Sequence, residues 1–243
     1  MKMTRKKLTV ITNSLLIVAF SIVFAVSFLP DYAVPIYGGT NLTAIYNGDR
    51  GSNKVSLMFN VYENAEVVEK IADVLDGYSV KATFFVGGCW ADDNENTLQR
   101  LVKSGHEIAN HGYFHKDHAS LDYEKNKEEI YLTGVIVNAL CGAKPNLFAP
   151  PSGSFSGITL QAAADLDYRV IMWSKDTIDW RDKDYDKIFT RATKNLAGGD
   201  LILMHPKSHT LAVLPKIIES VLDKGFNLVT VSENILSENA QNI

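Results

Sequence analysis

The chain has 243 residues, 46% hydrophobic and 21% charged, with a formal net charge of −4. That length and composition fit one sizeable domain with a real core and exclude a disordered or fibrous chain. Four bases and no acids fall in the first 29 residues, so the remainder carries −8, which argues against nucleic acid or an anionic membrane surface as its main partner.

The N-terminal bases are Lys2, Arg5, Lys6 and Lys7, and no charge follows between Leu8 and Leu29. A run of that length spans a bilayer as a helix. It reads either as a cleaved signal peptide, with AVS at 25–27 as the cleavage site, or as a retained signal anchor, which its length favours. Both readings export the body, because the positive flank stays on the cytoplasmic side. Residues 30–53, with Pro30, Pro35, Gly38, Gly39, Gly48 and Gly51, read as a linker holding at most one short strand.

From residue 54 the chain alternates. Short apolar runs at 55–59, 80–86, 106–110, 146–150, 169–173, 200–204 and 227–231 predict strands. Helical spacing separates them: Val67, Val68, Ile71, Val74 and Leu75 share one stripe, and 97–105, 122–141, 159–168, 185–196 and 210–225 follow the same rule. The alternation predicts an α/β fold with parallel strands, a small distorted (β/α) barrel of about seven strands, over 54–235, with a polar tail at 236–243. Cys89 and Cys141 fit no metal spacing and are expected as packed or free thiols rather than a disulfide.

Polar clusters sit at the C-terminal ends of several predicted strands, where parallel α/β folds place their chemistry. The segment 111–118, HGYFHKDH, holds three of the six histidines. One helical turn would put His111 and His115 on one face, as zinc-type sites require, and a metal is the favoured reading. His118 is expected as an exposed loop residue or a partner of Asp117. In the next cluster, Asp179 is placed to orient an imidazole, and His205, closing the apolar run LILM, is the natural one. Such a pair works as a general acid, protonating a leaving amine or alkoxide. The plain alternative makes Asp179 a turn cap and His205 a satisfied histidine near the core. Trp180 reads as a wall of the site or as core; at a sugar-facing rim such an aromatic would stack on an apolar pyranose face.

The segments VKATFFVGG (80–88), GHEIANHGYFHKDH (105–118), LFAPPSG (147–153), WSKDTIDW (173–180) and GDLILMHP (199–206) resemble the polysaccharide deacetylases with a NodB-homology domain, particularly the sporulation-type members of spore-forming bacteria. The resemblance covers about 54–235. It implies metal-dependent removal of N-acetyl groups from cell-wall amino-sugar polymers such as peptidoglycan. The metal would be Zn²⁺, with Co²⁺ as the alternative. His111 and His115 match the metal histidines, Asp179 and Trp180 the fourth motif, and Leu203 with His205 the fifth, whose histidine is the general acid. Pro151, Ser152, Trp180 and Leu203 would line the sugar. The implied protein is a monomer outside the cytoplasm, membrane-anchored or secreted, with cell-wall polysaccharide as its partner and no nucleic acid.

Two motifs depart from that pattern. Where the family has a base aspartate and a ligand aspartate, this chain has Asn60 and Val61; where it has an arginine and a tyrosine, this chain has Ala149 and Ser152. Base and orienting arginine are absent together, so no buried charge is left unpaired. Glu66 resembles the displaced acid of some relatives, with Glu63 as the alternative and an ordinary first-turn helix glutamate as the plain reading. Three functions follow: a deacetylase working without a carboxylate base; a wall-binding protein without turnover; and, more weakly, a glycosidase using Asp176 and Asp179.

Overall fold

A computed structural model of the protein describes residues 42–236, together with Val18. The expected signal helix over 1–29 and residues 237–243 of the tail lie outside the described residues. No helix among the described residues is long and apolar enough to cross a membrane.

Strand β1 (Lys54–Val61) is the centre of the fold and is apolar on both faces, as a strand covered on both sides must be. Val55, Leu57, Phe59 and Val61 join the core shared with the helices, while Met58 joins the core inside the sheet's curl. The period of two therefore sends Asn60 inward and Val61 outward. The remaining strands are β2 (Thr83–Val86), β3 (Glu107–Asn110), β4 (Leu147–Phe148), β5 (Arg169–Val170), β6 (Lys175–Asp176), β7 (Leu201–Met204) and β8 (Asn227–Leu228). The order is β5-β4-β3-β2-β1-β7-β6, every pair parallel, with β8 beside the start of β1. The sheet curls into an α/β barrel open between β5 and β6, since these two strands end the order without pairing to each other.

The helices are α1 (Ala65–Gly77), α2 (Gly88–Asp93), α3 (Glu95–Lys103), α4 (Tyr123–Cys141), α5 (Gly157–Ala164), α6 (Tyr185–Thr193), α7 (Ser208–Asp223) and α8 (Val231–Ile235). Helix α1 buries Val68, Ile71, Ala72 and Leu75, following the predicted stripe. Within 42–53, expected to be linker, the chain is tied to the body. Ile45 bridges Ile171, Gly48 N–H donates to Gly199 O at 2.7 Å, and Arg50 pairs with the buried Asp200 at 2.6 Å. Cys89 and Cys141 are free thiols.

Close backbone approach at Gly198 makes a sharp prediction. A Cβ there would collide with the Ser52 carbonyl oxygen, whereas one at Gly77, at the end of α1, meets nothing within 4 Å. Gly198→Ala is expected to lower the melting midpoint. Gly77→Ala is expected to raise stability by about 0.5 kcal/mol. Denaturant unfolding of both variants checks the pair.

Candidate active site

One cavity of about 250 Å³ opens at the C-terminal rim of the sheet. It takes Asn60 and Tyr62 from the end of β1, His111 and His115 from the loop after β3, and Ser152 from the turn after β4. Trp173, Asp176 and Trp180 come from around β6, and Leu203 and His205 from β7. Chain segments far apart in sequence thus converge on one face, as the strand-end argument requires.

The histidines come together without a helix. His111 continues β3, donating its backbone N–H to Val86 O at 2.9 Å. Gly112 then takes φ +75° and His115 φ 55°, reversing the chain so that the two rings sit 5.1 Å apart. The expected helical turn is therefore corrected: two left-handed residues do what a helix would have done. The loop is clamped by α4, where buried Glu129 accepts from Phe114 N–H at 2.7 Å and pairs with Lys116 at 2.9 Å. His118 is fully buried, which corrects the expectation of an exposed loop residue. Asn126 holds it. Asn126 Nδ2 donates to the carbonyls of His118, Leu121 and Asp122, so its Oδ1 must accept from His118 Nδ1–H, at 2.7 Å.

His111 Nδ1 lies 2.7 Å from Ala149 O, an acceptor only, so Nδ1 carries the proton and Nε2 presents a lone pair. Burial, reinforced by the neighbouring His115, pushes His111 well below the ordinary imidazole value, and burial also lowers His115. The ring of Tyr62 lies 4.1 Å from that of His115.

The Asp179–His205 pair is fully assembled. Asp179 Oδ1 accepts from His205 Nδ1–H at 2.8 Å, and its Oδ2 accepts the His205 backbone N–H at 2.7 Å and the Thr210 hydroxyl at 2.6 Å. Burial raises the Asp179 pKa, but the hydrogen bond and charge of His205, with the Thr210 and backbone donors, outweigh it and hold the carboxyl below its ordinary value. Just before it, Ile178 sits at φ 55°, a conformation β-branched residues rarely adopt. Thr210 and Tyr62 carry no motif and were invisible to sequence reasoning; His209, whose Nε2–H donates to Asp179 O at 2.7 Å, belongs with them.

The expected third ligand does not arrive. Glu66 lies in the first turn of α1 with its side chain 82% exposed, ion-paired to Lys70 at 2.6 Å. The structure corrects that expectation to the ordinary helix glutamate, and Glu63 is paired with Lys207. Val61, where the resemblance puts a ligand, packs in the helix-side core. Among the described residues no three His, Cys, Asp or Glu side chains gather as a metal site. Two histidines beside the neutral Asn60 are one charged donor short of a resident metal, so the residues present do not fit one. Of the sugar-contact expectations, Ser152, Trp180 and Leu203 line the cavity; Pro151 is buried beneath it, against Gly112. Asp176 lines it too, but Asp179 is turned to His205, so the two do not flank a bond as a glycosidase pair would.

Comparison with known proteins gives the family. The family model for polysaccharide deacetylase matches residues 47–171. The uncharacterized protein YlxY of Bacillus subtilis is 37% identical over 189 residues, 78% of this chain, which spans only 59% of that protein. A peptidoglycan-N-acetylglucosamine deacetylase of Bacillus cereus is 32% identical over 191 residues, 76% of this chain and 70% of its own. The crystal structure of a protein from Bacillus anthracis, described as a CE4 family pseudoenzyme, superposes with a TM-score of 0.78 at 30% identity, covering 81% of this chain and 70% of that one. A mutant of it described as having restored enzymatic activity superposes equally well, at 29% identity, over 81% and 72%. Sequence motifs, parallel barrel and the family match from 47 to 171 agree, and the chain belongs to the polysaccharide deacetylase family, a family of hydrolases.

Proposed function

We propose that this protein binds amino-sugar polymer of the cell wall in the cavity at the strand ends and does so without turnover. One observation carries the reading: the position that should hold the base is Asn60, a neutral amide 2% exposed in the cavity lining. An amide takes no proton at neutral pH, and a missing general base costs roughly 10²–10⁴-fold in rate. The missing third ligand removes the other source of an activated water. The groove itself is kept, with the Trp180 ring 53% exposed at the rim as a stacking face for a pyranose. Its place of action is outside the cytoplasm, with residues 1–29 as the exporting or anchoring segment.

A second reading, metal-dependent N-deacetylation with Zn²⁺ or Co²⁺, is favoured by the intact Asp179–His205 pair. In that reaction His205, oriented by Asp179 through Nδ1, would deliver a proton from Nε2 to the leaving amine. No third carboxylate, imidazole or thiol gathers with the two histidines among the described residues, so that reading also needs a third donor.

Acetate release from GlcNAc oligomers and peptidoglycan, with zinc or cobalt added, separates the two. Binding to both polymers with no acetate above a His111→Ala/His115→Ala control is expected. Acetate release that disappears in that control would establish the second reading. Asn60→Asp supplies a base and joins a carboxylate to the two histidines, and it is expected to raise acetate release at least about 10²-fold.

A further inference from the structure

Among the described residues Phe114 is the one exposed phenylalanine, at 57%. A single apolar side chain in water is ordinary on a loose loop, but this loop is tied down on both sides. The Phe114 N–H is held by the buried Glu129 carboxylate at 2.7 Å. The Tyr113 carbonyl accepts from Cys89 N–H at 3.1 Å and the Gly112 carbonyl from Gly88 N–H at 3.0 Å, both at the start of α2. The Tyr113 ring meets that of Phe114 edge-on at 4.7 Å, and Lys116 Nζ lies 4.9 Å from the centre of the Phe114 ring. The ring is thus fixed in place while more than half of the residue stays open to solvent. Sheet order fixes where it stands. Loop 111–118 follows β3 and Trp180 follows β6; β2, β1 and β7 separate these strands one way round the curl, and β4, β5 and the opening the other. The two exposed rings therefore stand on opposite sides of the cavity mouth. Tyr62, at the end of β1 with its ring 4.1 Å from that of His115, lines the wall between them.

We propose that Phe114 is a second sugar platform, across the mouth from Trp180, so that the protein selects amino-sugar chains long enough to lie over both rings and discriminates against short fragments. The inference rests on the sugar-binding reading above and adds the length of chain that is read. A polymer of pyranoses repeats apolar faces along its length, and a rigid rim that offers flat rings at separate points matches that repeat. A ring held in place before binding gives up little conformational freedom when a sugar settles on it. On this arrangement a disaccharide in the cavity occupies one platform, and a longer oligomer occupies both.

Calorimetric titration of the full chain with N-acetylated chitobiose and N-acetylated chitopentaose tests it. Phe114→Ala is expected to weaken binding of the pentamer roughly 10-fold and to leave binding of the dimer within about 2-fold, whereas Phe114→Tyr keeps both and Trp180→Ala weakens both. Extra binding registers raise the affinity of a long oligomer in wild type and variant alike, so the comparison between the two proteins carries the result. Melting curves would show that the variants fold. Equal weakening of dimer and pentamer in Phe114→Ala overturns the inference, because the ring would then act only through the loop that carries His115. Unchanged binding of the pentamer in that variant also overturns it and leaves the sugar-binding reading standing. Binding of neither oligomer to the wild-type chain overturns the inference and the sugar-binding reading together.

Discussion

Acidification from about pH 7.5 to about pH 4.5 is expected to remove roughly 2–3 kcal/mol of stability through His106 alone. This histidine has a fully buried side chain between β2 and α1, and its Nδ1 accepts the Ala82 N–H at 3.3 Å. Burial is the main reason its pKa falls to about 4; Lys81 and Arg100 push the same way, and Asp76, at 3.7 Å, opposes them. A histidine depressed in the folded state leaves the unfolded chain to bind the extra proton. Stability is therefore full above the unfolded value of about 6.5 and drains as pH falls towards 4. His111, His115 and His118 are lowered too and add in the same direction. Asp179, lowered as an acid, contributes above the ordinary carboxylate value and is lost only below this window. Urea unfolding at the two pH values measures the loss. His106→Asn keeps an acceptor for Ala82 and removes the titrating ring, so its stability should change less across the window by about the same 2–3 kcal/mol.

Asn126→Leu is the second large effect. The substitution is nearly isosteric, but it strips the acceptor from His118 Nδ1–H and the donor from the His118, Leu121 and Asp122 carbonyls, all in the protein interior or close to it. The Asp122 carbonyl keeps the Asn126 backbone N–H and the His118 carbonyl keeps Thr159, so part of the loss is compensated. A cost of about 2–4 kcal/mol is expected, seen as a fall of roughly 5–15 °C in Tm. Because His118 and Glu129 together hold the loop bearing His111 and His115, affinity for wall polymer should fall with it. A variant that melts as the parent does would show that the loop stands without this anchor.

The elements legible in the sequence are those with long or two-sided apolar patterns, β1, α1 and α7 among them. Strand β6 is two charged residues, half-buried and paired on one side, and reads as loop because no apolar period reaches it. Helix α8 is capped by Thr230, with Glu233 closing a capping box, a visible signal overridden by the β-branched run around it. In the site, residues whose chemistry is unusual for their setting were found: Asp179, His205, His111 and His115. Thr210 is an ordinary threonine until the fold brings it to Asp179. Glu66 misled because an acid near the right place says nothing about which way its helix faces. The loop 111–118 misled because the spacing of two histidines is shared by a helical turn and by a reversal through Gly112 and His115.

The contact between His111 Nδ1 and Ala149 O limits what a substitution at residue 149 can change. What is missing relative to the family pattern at residue 149 is a side chain, and what orients His111 there is the backbone. The same holds for Asp179, fixed in part by the His205 N–H. Substitutions at 60 and 149 would therefore act on imidazoles and a carboxylate that main-chain groups already hold in place.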